Sequence, residues 1–202
     1  MKNKLMSLIL KARVILFLPI FLLACQGCDE PTVRPGADFD GSVKWALQKA
    51  QPEITNFSGD AQIYNILGSL IWKDGRLPAN TGTWSFVSWS QSLKKTCQVT
   101  VDHQGDITKS VHDEVNPPST GSGTPLPAGW VNSTMIFSAI PGLEITKRFA
   151  QLVVFNTTSY PLAPNMAVWV INYAGGKNPT VRWDGQYIGT QFSQTPPAER
   201  VA

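Results

Sequence analysis

The residues of this sequence with the widest range of possible chemistry form one cluster of titratable side chains in the middle of the chain. They are Asp102, His103, Asp106, His112, Asp113 and Glu114. Histidine and carboxylate groups that converge on one point can hold a metal ion or act as general acid and base. However, side chains on one face of a strand lie at even spacing, and the two histidines are nine residues apart. Because aspartate also favours β-turns, the stretch predicts a solvated hairpin and loop, with no metal site and no catalytic residue.

A nucleophilic hydrolase would need a serine or cysteine that is activated by a neighbouring base. The sequence has two histidines and no G-x-S-x-G motif, and nothing around Cys97 predicts an activated thiolate. The glycines at 121 and 123 belong to no phosphate-binding pattern. We therefore expect no enzymatic activity and no cofactor, and an unrecognised hydrolase is the remotest alternative.

The most specific chemistry in the sequence lies near its start, at Cys25. Four basic residues precede an apolar run at 14–24, which is typical of a secretory signal and too short to cross about 30 Å of hydrocarbon as a helix. The run ends in Leu22-Leu23-Ala24-Cys25, which resembles the lipobox of bacterial lipoproteins. In that family the thiol of the cysteine takes a lipid, and cleavage follows immediately before it. The resemblance implies that residues 1–24 are removed and that Cys25 carries a membrane anchor.

Removal of that segment would change the charge of the protein. Four of the 17 Lys and Arg residues and none of the 14 Asp and Glu residues precede Cys25, which leaves 13 against 14 and a net charge of −1. The basic character of the whole chain belongs to the signal, so no nucleic-acid partner is expected. In Gram-negative lipoproteins an aspartate after the lipidated cysteine favours the inner membrane. Because Gln26 stands there, the resemblance implies a cell-envelope location, with the outer membrane favoured in a Gram-negative cell.

Two cysteines remain for other roles if Cys25 is lipidated. Cys28 and Cys97 could form a disulfide in an oxidising compartment. Cys97 lies in a strand-like stretch, where a buried free thiol is the other reading. The sequence leaves both alternatives open.

Two helices and several strands must position these residues. In Asp40–Gln51 the apolar residues share one helical stripe, with Asp40 as the expected N-cap and Pro52 as the expected stop. A second helix is predicted over Trp130–Ile140, where Met135 shares the apolar face. The remainder is rich in β-branched and aromatic residues and punctuated by turns, which favours strands.

Each helix precedes a similar series of strand-like segments. The first series is Thr83–Trp89, Val99–Asp102 and Gly105–Ile107, and the second is Val168–Tyr173, Thr180–Asp184 and Gly185–Ile188. Trp84 in the first corresponds to Trp169 in the second, and Asp102 corresponds to Asp184. We predict an α+β fold of two helix-on-antiparallel-sheet units that arose by a diverged duplication, and chance similarity of two meanders is the alternative.

These segments imply the following organisation. It comprises a signal peptide at 1–24, a flexible tether at 25–37, a first α+β unit at 38–115, a Pro/Gly-rich linker at 116–129, a second α+β unit at 130–190 and a tail at 191–202.

The end of the first series carries a second resemblance. The pattern Val99-x-Val101-Asp102-x-x-Gly105-Asp106-Ile107 resembles the ending of the PepSY-like module of secreted bacterial proteins and protease propeptides. Asp106 stands where that family often has glutamate, and the turn is one residue shorter. The second series matches in outline, since Trp183-Asp184-Gly185 lacks a separate turn glycine. The resemblance implies a non-catalytic, extracytoplasmic binding or inhibitory module.

Tryptophan is the other notable feature, with seven in the chain. Alternation places Trp84 and Trp89 on opposite faces of their strand. A sheet that carries a helix on one side needs one apolar face, so the second face is covered by the other unit or binds a peptide, lipid or glycan. The candidate aromatic binding face is Trp84, Trp89, Trp169 and Trp183.

These observations lead to one expected function and one main alternative. We expect a membrane-anchored binding or inhibitory module whose partner is an envelope protein or a peptide. The alternative is a structural or assembly lipoprotein of an envelope complex.

Overall fold

The computed structural model describes residues 39–118, 123–142, 148–154, 165–172 and 177–192. The helices are α1 (Val43–Phe57) and α2 (Ser133–Ser138). The strands are β1 (Gln62–Ile71), β2 (Thr83–Ser90), β3 (Lys95–Asp102), β4 (Ile107–Asp113), β5 (Arg148–Val154), β6 (Ala167–Asn172), β7 (Lys177–Arg182) and β8 (Tyr187–Phe192). The predicted α+β class is confirmed.

The strands form one antiparallel sheet of eight strands in the order β4-β3-β2-β1-β5-β6-β7-β8. Each half is a meander whose successive strands are neighbours, and the halves meet where β1 pairs with β5. The two predicted units therefore share one continuous sheet. Their buried apolar residues also form one main cluster, to which both helices contribute.

Helix α1 differs from the sequence prediction at both ends. Ser42 caps its N-terminus in place of Asp40, because the Ser42 Oγ accepts a backbone N–H of the first turn at 3.4 Å. The predicted stop at Pro52 is also wrong, since the helix continues to Phe57. Proline has no N–H to donate to the preceding turn. The helix nevertheless continues because Ile54, which is 2% exposed, extends its buried stripe beyond the proline.

Helix α2 is shorter than the predicted 130–140 segment and spans six residues. Ile136 and Phe137 are buried in the main core. Met135 is 55% exposed, so its predicted place on the buried face is wrong. The short helix turns its adjacent apolar pair inward, and this rotates Met135 toward solvent.

The N-termini of the two helices are hydrogen-bonded to each other. The Oδ1 of Asn132 accepts the backbone N–H groups of Ser133 at 2.9 Å and of Lys44 at 3.3 Å. Its Nδ2 donates to the Oγ of Ser42 at 3.1 Å, and the Oγ of Ser133 accepts from the N–H of Val43 at 3.0 Å. N–H groups that lack partners at the start of a helix are thereby satisfied by side chains of the other helix.

The core continues across the centre of the sheet through two tryptophans. Trp84 and Trp169 are fully buried, and their rings meet edge to face with centroids 6.1 Å apart. The indole N–H of Trp84 donates to the carbonyl of Gly41 at 3.1 Å. The ring of Trp84 lies over Gly68 on the neighbouring strand, where a Cβ atom would come within 2.8 Å of the ring carbon Cη2. Because Gly68 has no side chain, the indole ring of Trp84 can occupy the space above it.

The pairing between the halves is symmetric about one residue pair. Leu67 of β1 lies opposite Gln151 of β5. The pairs on either side are Ile66–Leu152 and Gly68–Ala150. Gly68 also lies opposite Trp84, and Leu152 lies opposite Trp169, so each tryptophan has the same place in its half. The next strand continues the match, with Val101 opposite Trp84 and Val181 opposite Trp169.

The last turn of each half also corresponds, with a different alignment from the predicted one. The N–H of Gly105 donates to the carbonyl of Asp102, and the N–H of Gly185 donates to the carbonyl of Arg182. The two glycines have φ values of +87° and +96°. Asp102 therefore corresponds to Arg182, not to Asp184, and Gly185 is the turn glycine that the sequence comparison missed.

Candidate binding surface

The sheet has one face covered by α1 and an opposite face, which we call the open face. Along β3, Cys97, Val99 and Val101 are buried against α1, while Gln98 and Thr100 are partly exposed on the other side. The open face is formed by Asn65, Leu67, Ser85, Val87, Gln98, Thr100, Thr108, Ser110 and Gln151. Asn65 and Ser85 are buried within it, and on the same side of β6 Val168 and Val170 are buried in a second, smaller apolar cluster, so the exposed part lies around Leu67 and along β3 and β4. One row of register partners crosses five strands as Thr108, Thr100, Ser85, Leu67 and Gln151.

The open face of the first three strands is almost free of charge. Among the described residues of β1, β2 and β3, no Lys, Arg or Glu side chain lies on it. Asp102 lies at its end, and its carboxylate accepts the backbone N–H groups of Gln104 at 2.8 Å and Asp106 at 2.9 Å. That carboxylate is therefore engaged in the turn. Hydroxyl, amide and aliphatic groups make up the rest of the surface.

The polar groups of the open face bond to one another around an exposed leucine. Ser85 and Thr100 share a hydrogen bond of 2.7 Å between their hydroxyls. Gln151 Nε2 donates to Asn65 Oδ1 at 3.3 Å. Leu67, between these pairs, is 38% exposed. The arrangement is an apolar centre surrounded by groups that both donate and accept hydrogen bonds.

The predicted aromatic binding face is wrong. Trp84 and Trp169 fill the core on the helix side of the sheet and are 0% exposed. Trp89 lies on the opposite side, 4% exposed, where its indole N–H donates to the carbonyl of Glu114 at 2.9 Å. Trp183 is partly exposed and packs against the main core. The four rings share no surface, because strand alternation separates Trp84 from Trp89 and the two halves seal Trp84 against Trp169.

Trp183 lines a cavity of about 270 Å³. The other lining residues are Thr124, Pro125, Pro127, Asn165, Met166 and Ala167. None of these side chains titrates in the physiological range. The cavity can provide apolar contact and a few polar groups, but no acid–base chemistry.

The titratable cluster has the structural roles that its sequence favours. The Asp102 carboxylate closes the β3–β4 turn, Asp113 pairs with Lys95 at 3.2 Å, and the Glu114 carboxylate accepts the hydroxyl of Thr96. His103 lies in that turn and His112 lies on β4. Within the described ranges, no three His, Cys, Asp or Glu side chains are grouped so that they could hold a metal ion.

Among the described residues the largest pKa shift belongs to Asp60, and hydrogen bonds to its carboxylate cause it. The Ser58 hydroxyl, the Ser90 hydroxyl and the N–H of Ser92 donate to its carboxylate, and they hold the pKa of Asp60 well below its ordinary value. These bonds join the end of α1 to the turn between β2 and β3. Asp60 is therefore an ionised carboxylate that holds these two segments together, and it is not a proton donor at neutral pH.

Cys97 has no disulfide partner among the described residues and is fully buried on the helix side of β3. Burial raises the pKa of the Cys97 thiol, which disfavours the reactive thiolate. Cys25 and Cys28 lie outside the described residues. The disulfide between Cys28 and Cys97 and the lipid on Cys25 therefore stay predictions.

The open face was not singled out from the sequence, although a signal for it was present. Partly exposed polar residues flank the buried Val99 in Gln98–Thr100, and Ser85 and Val87 flank the buried Phe86. Such alternation predicts a face turned away from the core. Only the pairing of the strands brings these short polar stretches into one surface.

Comparisons with known proteins give no match, whether with protein-family models, with curated proteins or with solved structures. In the part of the chain that the structure describes, no helix has the length and apolar character needed to cross a membrane.

Proposed function

We propose that this chain is a lipid-anchored, non-catalytic binding protein of the bacterial cell envelope, and that its open face binds a partner protein. The observation that carries the proposal is the surface of β1, β2 and β3 around the exposed Leu67, where no Lys, Arg or Glu side chain of these strands lies and the Asp102 carboxylate is engaged in the turn. Protein interfaces are depleted of charge at their centre and polar at their rim. The exposed part of the open face, from Leu67 across Thr100 to Thr108 and Ser110, fits that description.

The chemistry of the open face favours a macromolecular partner over a small molecule. Its residues lie on neighbouring strands, which are spaced about 4.8 Å apart, and so present a broad surface rather than a pocket. Hydroxyl and amide side chains can each donate and accept, so a partner's backbone or side chains can be matched without burying an unpaired charge. Small-molecule sites are instead concave and enclose most of the ligand.

Photo-crosslinking in living cells tests this proposal directly. A photoreactive phenylalanine analogue at Gln98, on the open face, is expected to form a discrete adduct with an envelope protein. The same analogue at Met135, exposed on α2, is the matched control and is expected to form none. Leu67→Arg should weaken the Gln98 adduct at least about tenfold, because it places a charge at the centre of the interface. Equal adducts from both positions, or an adduct that Leu67→Arg leaves unchanged, would refute a binding role for the open face.

Size-exclusion chromatography of the membrane extract distinguishes the proposed binding protein from the main alternative. A structural or assembly lipoprotein would remain in a stable complex of fixed stoichiometry during size-exclusion of the membrane extract. A transient binder or inhibitor would separate from its partner under those conditions. The crosslinked partner, once identified, can be followed in both fractions.

The anchor is supported by the sequence at residues 22–25, which precedes the described region. Cys25→Ser is expected to abolish lipidation and signal cleavage, because the lipid-accepting thiol is removed. Metabolic labelling with a fatty acid and the size of the protein on a gel measure both. Cys28→Ser is the control and should be labelled and processed like the unaltered chain. Mature-sized, membrane-bound protein from Cys25→Ser would contradict lipidation at Cys25. The proposed location in the outer membrane of a Gram-negative cell would then also be unsupported, because it depends on that lipidation.

We also infer that the two halves derive from one duplicated, PepSY-like unit. Support comes from the symmetric register about Leu67 and Gln151 and from the matching positions of Trp84 and Trp169. The turn glycines at 105 and 185 add a third correspondence. Each half also begins with a helix whose N-cap contacts the other, through Ser42 and Asn132.

A further inference from the structure

Strand β4 lies at one edge of the sheet and exposes apolar side chains on the side that carries α1. In the described residues no strand pairs with its outer side. Ile107 and Val111 are 40% and 43% exposed, and their register partners on β3 are buried beneath α1. The N–H of Glu114 donates to the carbonyl of Lys94 at 3.0 Å, and Val115, in the bend that follows β4, is 74% exposed. These are three of the six large apolar side chains exposed in the described part of the chain.

Charged residues alternate with these apolar residues along the same side of β4. From Ile107 the order is Ile107, Lys109, Val111, Asp113 and Val115. The Asp113 carboxyl group is 87% exposed despite its contact with Lys95, so a second cation can reach it. An exposed strand edge with apolar residues is normally protected or paired in a native protein. The side of β4 is therefore an unpaired edge with a regular apolar and charged pattern.

This pattern is complementary to itself in one antiparallel register. With Val111 opposite Val111 of a second copy, Lys109 lies opposite Asp113, and Ile107 lies opposite Val115 just beyond the end of the strand. The Lys109 ammonium is also paired with Glu53 of its own α1 at 3.0 Å, so Asp113 of the second copy would join an existing ion pair. On the other side of the strand, Thr108 then lies opposite Glu114 and Ser110 opposite His112. Opposite charges and apolar pairs at directly facing positions stabilise antiparallel strands, and like charges destabilise them. A shift of the two-fold axis by one pair, to Lys109 opposite Lys109, would place two ammonium groups face to face.

We propose that two copies of this chain associate through their β4 strands, antiparallel about a two-fold axis at Val111. The contact is isologous, so each copy supplies the same edge and the assembly closes as a dimer. Backbone hydrogen bonds between the β4 strands join the two sheets into one. We assign the partner as a second copy because, in an antiparallel pair centred on Val111, Lys109 of each copy faces the oppositely charged Asp113 of the other.

The dimer has a geometric consequence for the open face. Both Val111 side chains lie on the helix side, so the two-fold axis is perpendicular to the sheet and both open faces point the same way. Two copies of the surface around Leu67 would then be presented together. Bivalent presentation raises the apparent affinity for a partner that offers two sites, without any new contact. The dimer itself does not depend on the function proposed for the open face.

Sedimentation equilibrium of the full chain in detergent tests the dimer. The unaltered chain is expected to show the mass of two copies at high concentration and to dissociate on dilution. Val111→Lys should raise the dissociation constant at least about 30-fold, because it replaces the apolar pair at the axis by two facing ammonium groups. Met135→Lys places the same charge at an exposed apolar residue away from β4 and is expected to leave the dissociation constant unchanged. Thermal unfolding of both variants establishes that each is folded.

A charge exchange tests the register. Lys109→Asp and Asp113→Lys should each weaken the dimer, and the double variant should recover most of the loss, since the opposed charges are restored in reverse. A monomer at every concentration, a dimer insensitive to Val111→Lys, or chains that grow beyond two copies would each overturn the proposal. Adducts from Gln98 would be unaffected by such a failure, so the two proposals fail independently.

Discussion

Replacement of Trp84 by alanine is expected to lower the free energy of unfolding by about 3–5 kcal/mol. Trp84 is fully buried at the centre of the sheet, where its ring meets Trp169 and rests over Gly68. The change removes a large apolar surface from the core and the hydrogen bond to the carbonyl of Gly41. Guanidinium denaturation monitored by circular dichroism measures the loss.

The coupling between Trp84 and Gly68 provides the control for that result. Gly68→Ala alone should cost about 1–3 kcal/mol, because the new methyl group would collide with the indole ring and with Ile71. In the Trp84→Ala background the collision with the indole is removed and only the contact with the flexible Ile71 side chain remains, so the loss caused by Gly68→Ala should become much smaller. Additive losses in the double variant would contradict the close approach of the ring to Gly68.

The second large effect is expected at Gly75, in the loop between β1 and β2. Gly75→Ala should lower the free energy of unfolding by about 2–4 kcal/mol, because it combines an unfavourable backbone conformation with a backbone collision. The φ of Gly75 is +78°, and a Cβ there would lie 2.6 Å from the carbonyl carbon of Ser133 and 2.8 Å from the N of Thr134. Main-chain atoms cannot rotate out of the way, so α2 would have to move from its position.

Gly59→Ala is the matched control for Gly75. A Cβ at Gly59 meets no atom within 4 Å, so the free energy of unfolding should change by less than about 0.5 kcal/mol. Melting temperatures of the two variants give the comparison. Equal melting temperatures would show that the loop of Gly75 does not hold α2 in the way that the contacts with Ser133 and Thr134 indicate.

Both helices and the strands β2, β3, β6, β7 and β8 overlap predicted segments, because their patterns are local, whereas β1 and β5 were not predicted as separate strands. The stretch Thr83–Trp89 was predicted as a strand and matches β2, because alternating apolar residues have a period of two. The ends of α1 were not predictable to the same degree. The choice of Ser42 over Asp40 and the continuation through Pro52 depend on contacts with distant parts of the chain, such as those of Asn132 with Ser42.

The candidate surface was less predictable than the fold. Tryptophan content pointed to exposed rings, yet Trp84 and Trp169 come from different halves and become buried against each other when β1 pairs with β5. The open face, in contrast, consists of common residues such as Ser85, Thr100 and Gln151. Their significance lies in the absence of charge over several strands, and strand register alone assembles that surface.

The sequence by itself determined the α+β class, the positions of most strands and the lipobox-like Cys25, because each depends on neighbouring residues. The tertiary structure decided which residues are surface and which are core. Long-range strand pairing leaves Leu67 exposed and buries Trp169, and the burial of Ile136 and Phe137 on α2 leaves Met135 exposed. The same pairing left β4 at an edge, where its order of apolar and charged residues can meet a second copy.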